Sequence, residues 1–272
     1  MYAGTTLRPL KHFDAWFGAH QKIDRVARQH LARLLSHVEI FPAQKAIVRF
    51  EGIDGPDGIK RKTPAQGELW HFIDPDNEDD RQLLAILNYN YQELVAALKG
   101  GNQTRAAFEA AWLAHGVVDG LTPAHHYPYE DELIRLRGEG IETRVTPKDK
   151  LLIPGGTLPE TVSKNWQVWG DKGLIATHLA FEWGIAAMIA PLRYSHILPT
   201  EQQLEAAIAA GLNETFLACA KEVAVLKMYD QFYKSGWTPK LAKQARRELL
   251  PRIINMVTIA WYLAAREAYG GA

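Results

Sequence analysis

Two pairs of ligand-type side chains lie within apolar stretches of this sequence. His115 and Asp119 are four residues apart, and His178 and Glu182 repeat the spacing further along the chain. On a helix, residues at i and i+4 lie side by side, roughly 5–6 Å apart at Cβ, so both side chains of a pair can reach one cation. Burying a carboxylate costs several kcal/mol unless a cation or hydrogen-bond donors compensate it. One pair alone would suit a core histidine bonded to its neighbouring acid, but two pairs together favour a metal site.

Three further histidines could join these pairs. Gly120 and Pro123 end the helix and turn His125 back toward it, with the adjacent His126 as the alternative. His20 lies among apolar residues of the first predicted helix.

His71 opens a segment, His-Phe-Ile-Asp-Pro-Asp-Asn, whose later residues predict a turn. Taken alone, His20 or His71 could be structural. The whole set contains histidines and carboxylates but no cysteine, which suits zinc in an open catalytic site better than a closed structural site.

Helical periodicity is the dominant pattern in the elements that must position these residues. Apolar residues recur every three or four residues in six segments, predicted to be the main helices: roughly 13–37, 79–99, 102–120, 171–190, 201–230 and 239–268. Glu51–Gln66 and Glu139–Glu160 are rich in Gly and Pro and predict loops, and Lys45–Phe50 could form a short strand. No repeated alternation would build a sheet. The sequence therefore predicts an all-α fold, one multi-helix domain over residues 1–272 with an insertion at about 139–165.

Composition limits the classes of partner. Thirty-one basic and thirty-one acidic residues give a formal net charge of zero, which excludes the chain-wide basic surface that non-specific nucleic-acid binding needs. The apolar runs Leu179–Leu192 and Ile253–Ala265 are too short to span a bilayer. The first residues show no signal-peptide pattern, and the single cysteine, Cys219, fits a reducing compartment. We therefore expect a cytoplasmic protein without a transmembrane segment.

These motifs resemble those of the zinc-dependent phospholipase C/P1 nuclease family, an all-helical fold with a trinuclear zinc site. His115-x3-Asp119-x5-His125 has the spacing of that family's central metal motif, and His178-x3-Glu182 resembles its next pair. The resemblance covers roughly residues 14–190 at its motifs.

Weaker parts of the resemblance lie nearer the start of the chain. The segment at His71 resembles the family's His-Phe-x-Asp-Pro-Asp-Asn. Asp57, fourteen residues before His71, stands where the phospholipase C pattern has a metal-bound aspartate, with Asp54 as the rival in register. His20 resembles the histidine on the family's first helix.

The resemblance implies ligands for two zinc ions and a candidate third. The ligands of the first ion would be Asp57, His71, His115 and Asp119. The ligands of the second would be His125, His178 and Glu182, and Asp119 would bridge to a third ion that His20 helps to bind.

Three features depart from the family pattern. In extracellular relatives the amino group and carbonyl of a processed N-terminal Trp bind the third zinc, whereas nineteen residues precede His20 here and the chain opens with Met1. The third site is then either empty or filled by another group. The segment between His125 and His178, the two histidines assigned to the second zinc, is far longer than in the bacterial phospholipase C pattern. Gly58 and Glu68 replace choline-contacting aromatics, which argues against choline specificity.

The activity implied is zinc-dependent hydrolysis of phosphate esters, in which paired ions lower the pKa of a water and clamp the phosphoryl oxygens. Asp57 would orient or deprotonate that water. We favour a phospholipase C-like enzyme acting on a small phosphate ester or a phospholipid, because the His71 segment and the Asp57 spacing resemble the bacterial enzymes. A P1-like nuclease or nucleotidase is the first alternative and would need an aromatic platform for a base. Its candidates are Trp70, Phe72, Trp166 and Trp169. The second alternative is a non-catalytic helical metal-binding protein.

Overall fold

Helices are the only regular structure in the part of the chain that the computed structural model describes, residues 1–2, 18–52, 54–60, 62–65 and 71–270. The predicted all-α class is confirmed for these residues. None of their helices combines the length and apolar character needed to cross a bilayer.

In the described residues the α-helices, in chain order, begin with α1 (Ala19–Leu34), α2 (Gln44–Arg49), α3 (Pro56–Lys60), α4 (Gln82–Lys99), α5 (Gln103–Gly120), α6 (Tyr129–Arg137) and α7 (Pro147–Leu151). They are followed by α8 (Leu158–Trp169), α9 (Leu174–Ile189), α10 (Glu201–Ala210), α11 (Leu212–Val225), α12 (Met228–Ser235), α13 (Pro239–Gln244) and α14 (Leu250–Tyr269). A π-helical turn, Ala245–Leu249, joins α13 to α14. Turns of 3-10 helix cover Val38–Ile40, Pro123–His126 and Ile141–Thr143.

Helix α5 lies at the centre of the main core, in contact with α1, α2, α4 and α14. Its contact with α4 depends on two glycines. A Cβ on Gly116 would lie 2.7 Å from Leu87 Cδ2, and one on Gly120 would lie 2.5 Å from Leu83 Cδ2. On the α14 side, the indole N–H of Trp261 donates to the Ala110 carbonyl at 2.9 Å. The ligand-type residues of α5 are therefore held inside the core.

The segment predicted to be the loop Glu139–Glu160 is partly helical, so that prediction is wrong. It contains α7 and the start of α8, and both helices begin with a threonine cap, Thr146 and Thr157, whose hydroxyl accepts a backbone N–H. A separate small apolar cluster lies around this segment, formed by Leu133, Ile153, Val168 and Leu174. Ile153 of the insertion therefore packs in a small second core whose other members lie on α6, α8 and α9.

Several other predicted boundaries differ from the structure. The proposed strand Lys45–Phe50 is helix α2, because Ile47 faces the core from a helix that packs on α1 and α5. The predicted loop Glu51–Gln66 includes the short helix α3. The single helix predicted for 201–230 is three helices, broken at Gly211 with φ +79° and at Lys227 with φ +47°. The predicted start of the first helix, residues 13–17, lies outside the described residues.

Candidate metal centre

The end of α5 supplies the central pair of the site. His115 and Asp119 are 1% and 2% exposed, and His115 Nε2 lies 3.1 Å from Asp119 Oδ2. The other ring nitrogen, Nδ1, lies 2.8 Å from Glu51 Oε1 with hydrogen-bond geometry. Burial lowers the pKa of His115, but the charges of Glu51 and Asp119 outweigh it and raise the pKa well above its ordinary value.

The 3-10 turn after α5 brings His125 into the site. Its Nδ1–H donates to the His71 carbonyl at 3.1 Å, and the Ile73 N–H donates to the His125 carbonyl at 3.1 Å. His125 Nε2 then lies 2.9 Å from Glu182 Oε1. Burial lowers the pKa of His125 to about 4, so its ring is neutral. The ring of His126 bonds instead to the Gly120 carbonyl at 2.8 Å, so His125 is the one of the two that reaches Glu182.

Helix α9 supplies the second pair. His178 Nε2 lies 3.0 Å from Glu182 Oε1, the same oxygen that His125 faces. Glu182 is 7% exposed. Burial would raise the pKa of Glu182, but the Met1 ammonium and His178 hold it well below its ordinary value. One buried carboxylate oxygen therefore has two imidazole nitrogens directed at it.

The backbone of Met1 lies beside His20 in the same cluster. His20 Nε2 is 2.6 Å from the Met1 carbonyl oxygen and 3.1 Å from Asp119 Oδ1. The α-amino group of Met1 contacts Asp119 and lies 3.1 Å from Glu182 Oε1. Burial lowers the pKa of this amino group, but Asp119 and Glu182 outweigh it and raise it to about 10. Two backbone groups of Met1 thus lie beside His20 and Asp119, the residues that the resemblance assigns to a third ion.

Asp57 and His71 lie at the edges of the cluster. Asp57 Oδ1 is 3.9 Å from His115 Nε2, and the Asp57 side chain is 26% exposed. Asp54, its rival in the sequence, has an exposed side chain. The His71 ring is buried, with its Nε2 3.0 Å from Lys60 Nζ.

All eight site residues predicted from the sequence fall in this one cluster. Three groups have ligand atoms within 4.8 Å of one another: His71, Asp119 and His125; His125, His178 and Glu182; His20, Glu51 and His115. The second group is the set expected for the second zinc. In the first group, His71 is joined with Asp119 and His125, whereas the resemblance places it with Asp57 and His115.

Glu51 is the main residue that the sequence did not identify as part of the site. It is 1% exposed and lies between His20 and His115, whose charges lower its pKa to about 2 although burial alone would raise it. It lies outside any helical repeat, in a segment predicted to be a loop, so spacing gave no signal for it.

The surroundings of His125 show that these residues fit a cation. Because its Nδ1–H is used on the His71 carbonyl, its Nε2 directs a lone pair at the carboxylate of Glu182, 2.9 Å away. Two acceptors that face each other in a buried place are unfavourable unless a cation lies between them. The buried histidine and carboxylate groups could therefore hold a metal ion.

Comparison with family models, with curated proteins and with solved structures finds no match to this chain. The likeness to the phospholipase C/P1 nuclease family thus rests on the motifs and stays a prediction.

Proposed function

We propose that this protein is a zinc-dependent hydrolase of phosphate esters. The observation that supports it most is the direction of the His125 Nε2 lone pair toward Glu182 Oε1, with His178 Nε2 at 3.0 Å from the same oxygen. Nitrogen and oxygen donors without cysteine suit zinc in an open site. Zinc bound there would supply Lewis acidity and a water of lowered pKa.

The candidate ligands divide into three sets around Asp119. His125, His178 and Glu182 form the set with the closest mutual contacts. The second set is Asp57, His71, His115 and Asp119. The third is His20, Asp119 and the backbone groups of Met1.

Asp57 is the residue that would handle the proton of the attacking water. Its side chain is partly exposed, unlike those of Asp119 and Glu182, so it can meet a water and a substrate that arrive from solvent. Its Oδ1 would accept a hydrogen bond from the water and then the proton as the oxygen attacks phosphorus. The buried carboxylates would keep their charge, because the pKa of Asp119 and that of Glu182 lie far below their ordinary values.

An exposed apolar helix face favours a phospholipid as the substrate. On α8, Leu158, Val162 and Trp166 follow at intervals of four residues and are 79%, 61% and 66% exposed. Helix α8 packs on α9, which carries His178 and Glu182. A helix with apolar and aromatic residues exposed along one face is typical of attachment to a lipid interface.

The aromatic platform that a nuclease would need has less support. The Phe72 ring stacks on the Tyr129 ring at 5.3 Å and on the His125 ring at 5.0 Å, so it already packs on two side chains of the protein. The Trp169 indole N–H bonds to the Leu151 carbonyl. Trp70 lies outside the described residues, and so does Glu68, which stands at the position of a choline-contacting aromatic in the family pattern.

The first test measures the metal content of protein purified without added metal, together with turnover of bis-p-nitrophenyl phosphate before and after chelation. We expect two or more zinc ions per chain and activity that chelation removes and zinc restores. Metal without turnover would support the non-catalytic alternative, and neither metal nor turnover after zinc addition would refute the proposal. Vesicles of phospholipids with choline, ethanolamine, glycerol and inositol headgroups are compared with single-stranded DNA at equal phosphate concentration, which separates the lipase from the nuclease without assuming choline specificity.

Asp119→Asn sharpens this test, because Asp119 touches both His20 and His115. We expect metal content and turnover to fall together, with turnover down by 100-fold or more. Glu109→Gln is the matched control, since Glu109 is a buried acid on the same helix but contacts Arg105 rather than the site histidines. Full activity of Asp119→Asn would show that the bridging assignment is wrong.

A further inference from the structure

His20 and His115 form a stacked pair of imidazoles between two buried carboxylates. Their ring centroids are 4.2 Å apart and the planes differ by 17°. Both Nε2 atoms face Asp119, at 3.1 Å from Oδ1 and from Oδ2 respectively. Both Nδ1 atoms face a single oxygen of Glu51, at 2.9 Å from His20 and 2.8 Å from His115. Both rings therefore direct Nδ1 toward Glu51 and Nε2 toward Asp119.

The two contacts to Glu51 differ in kind. The contact with His115 has the geometry of a hydrogen bond, and the contact with His20 is an ionic contact at short range. An ionised carboxylate only accepts hydrogen bonds, so a cation that binds the Nε2 atoms beside Asp119 would leave the hydrogen of each ring on Nδ1, facing Glu51. Without that cation, His20 Nε2 has hydrogen-bond geometry to the Met1 carbonyl oxygen at 2.6 Å, and His20 Nδ1 makes no hydrogen bond within the described residues. The hydrogen bond at one ring nitrogen decides which nitrogen is left to bind a metal.

We propose that Glu51 is a positioning residue that fixes His20 and His115 as Nδ1–H tautomers, so that both Nε2 lone pairs point at the metal beside Asp119. This inference rests on the proposed metal site, and Glu51 is not one of the ligands inferred above. Glu51 is suited to the role because it is 1% exposed and one carboxylate serves two rings from two helices, α1 and α5.

A rival arrangement would make Glu51 itself a ligand, with both histidines bound through Nδ1. It has some basis, because Glu51 Oε2 and both oxygens of the buried Asp24 have no hydrogen-bond partner within the described residues. Each Nε2 would then carry the ring hydrogen and donate it to Asp119, so Asp119 would not bind the ion. The positioning role keeps Asp119 among the ligands, as the proposed function requires, and is therefore preferred.

Zinc affinity separates these roles. Glu51→Ala and Glu51→Gln are compared with wild type and with the control Glu109→Gln by competition with a chelator of known affinity. We expect Glu51→Ala to weaken zinc binding by 10- to 100-fold, the range seen when a histidine ligand loses its outer partner. The zinc affinity of Glu51→Gln should lie between those of wild type and Glu51→Ala, because glutamine keeps an acceptor oxygen but has no charge. The control should stay within about twofold of wild type.

The tautomers give a readout that a merely structural role would not change. In protein labelled with ¹⁵N-histidine and loaded with zinc, His20 and His115 should each show a protonated Nδ1 and a metal-bound Nε2, as His125 also should, and His20→Gln and His115→Gln assign the two signals. In Glu51→Ala these Nδ1–H signals should be lost or shifted. Circular dichroism shows whether each variant is folded, and if Glu51→Ala is not, Glu51→Gln decides.

Each possible result of these experiments either supports or overturns the positioning role of Glu51. Unchanged zinc affinity and unchanged tautomers in a folded Glu51 variant would overturn it. So would the loss of one whole ion together with Nδ1 coordination in wild type, which would make Glu51 a ligand. If wild type binds no zinc at all, the metal site fails, but Glu51-dependent Nδ1–H signals of both histidines would still uphold the hydrogen-bonding half of the inference.

Discussion

Met1 enters the site through its backbone. Its amino group contacts Asp119 and Glu182, and its carbonyl oxygen lies 2.6 Å from His20. Met1 itself is 1% exposed, so a peptide joined to its nitrogen would have to displace the packing around it. The Met1 nitrogen and carbonyl oxygen are thus the backbone groups of the proposed third set of ligands.

An extension at Met1 should therefore damage the site. We expect protein with Gly-Ser added before Met1 to lose about one zinc ion per chain and at least tenfold in turnover, because Asp119 and Glu182 lose their buried neighbour. The same two residues added after Ala272 are the control. Zinc counted by native mass spectrometry checks this, and equal zinc content in the two proteins would remove Met1 from the ligand set.

At the residue scale, the sequence located the histidines better than their partners. The i,i+4 pairs were visible because helix periodicity places His115 beside Asp119 and His178 beside Glu182. The contact of Met1 with Asp119 spans 118 residues, and no local pattern could indicate it. Glu51 was missed for the same reason, since its two partners lie on different helices.

At the scale of elements, Gly120 controls how closely α5 approaches its neighbours. A Cβ at this position would lie 2.5 Å from Leu83 Cδ2 and 2.6 Å from Phe216 Cζ, and both side chains are fully buried. The sequence indicated Gly120 only as a helix end, and α5 does end there. Its packing role needed the neighbouring helices to be placed.

Gly120→Ala should therefore destabilise the protein even though alanine is the better helix former. We expect a loss of about 1–3 kcal/mol in the free energy of unfolding, as for other overpacked core sites. Zinc affinity should fall too, because Asp119 is the adjacent residue. Urea unfolding with and without chelator measures both effects, and a variant as stable as wild type would show that α4 and α11 can move apart at little cost.

Short elements were harder to foresee than long ones. The long helices α4, α5 and α9 follow from periodicity, whereas α7 and the start of α8 lie in a stretch rich in Gly and Pro. Their signal was present as Thr146-x-x-Asp149 and Thr157-x-x-Glu160, the spacing of an N-terminal cap. The apolar run at α2 suggested a strand because it contains β-branched residues, which occur in both strands and helices. The packing of this segment on α1 stabilises the helix instead.

For the molecule as a whole, a net charge of zero conceals several buried charges. Besides the metal centre, Glu109 on α5 is 0% exposed and its Oε1 lies 2.5 Å from Arg105 Nη2. Burial raises the pKa of Glu109 to about 7, even with Arg105 acting in the opposite direction. Burial outweighs the ion pair, because Arg105 is 43% exposed and also contacts Glu93.

Glu109 should therefore make the folded state less stable as the pH rises. Below the ordinary pKa of 4.5 the carboxyl is protonated in both states and contributes nothing. Between that value and about 7 the unfolded chain releases the proton while the folded chain keeps it, so stability falls with pH, and above about 7 the penalty is constant. Glu109→Gln removes the titration, so it should stabilise the protein by on the order of 1–3 kcal/mol at pH 8 and by little at pH 4.5.

The measurement is the free energy of unfolding of wild type and Glu109→Gln across this pH range, with chelator present. Taking the difference between the two proteins cancels the pH dependence of the histidine cluster, which they share. A difference that is flat with pH, or a variant less stable than wild type at pH 8, would mean that the ion pair with Arg105 outweighs burial. The carboxylate would then be a stabilising charge at the centre of the fold.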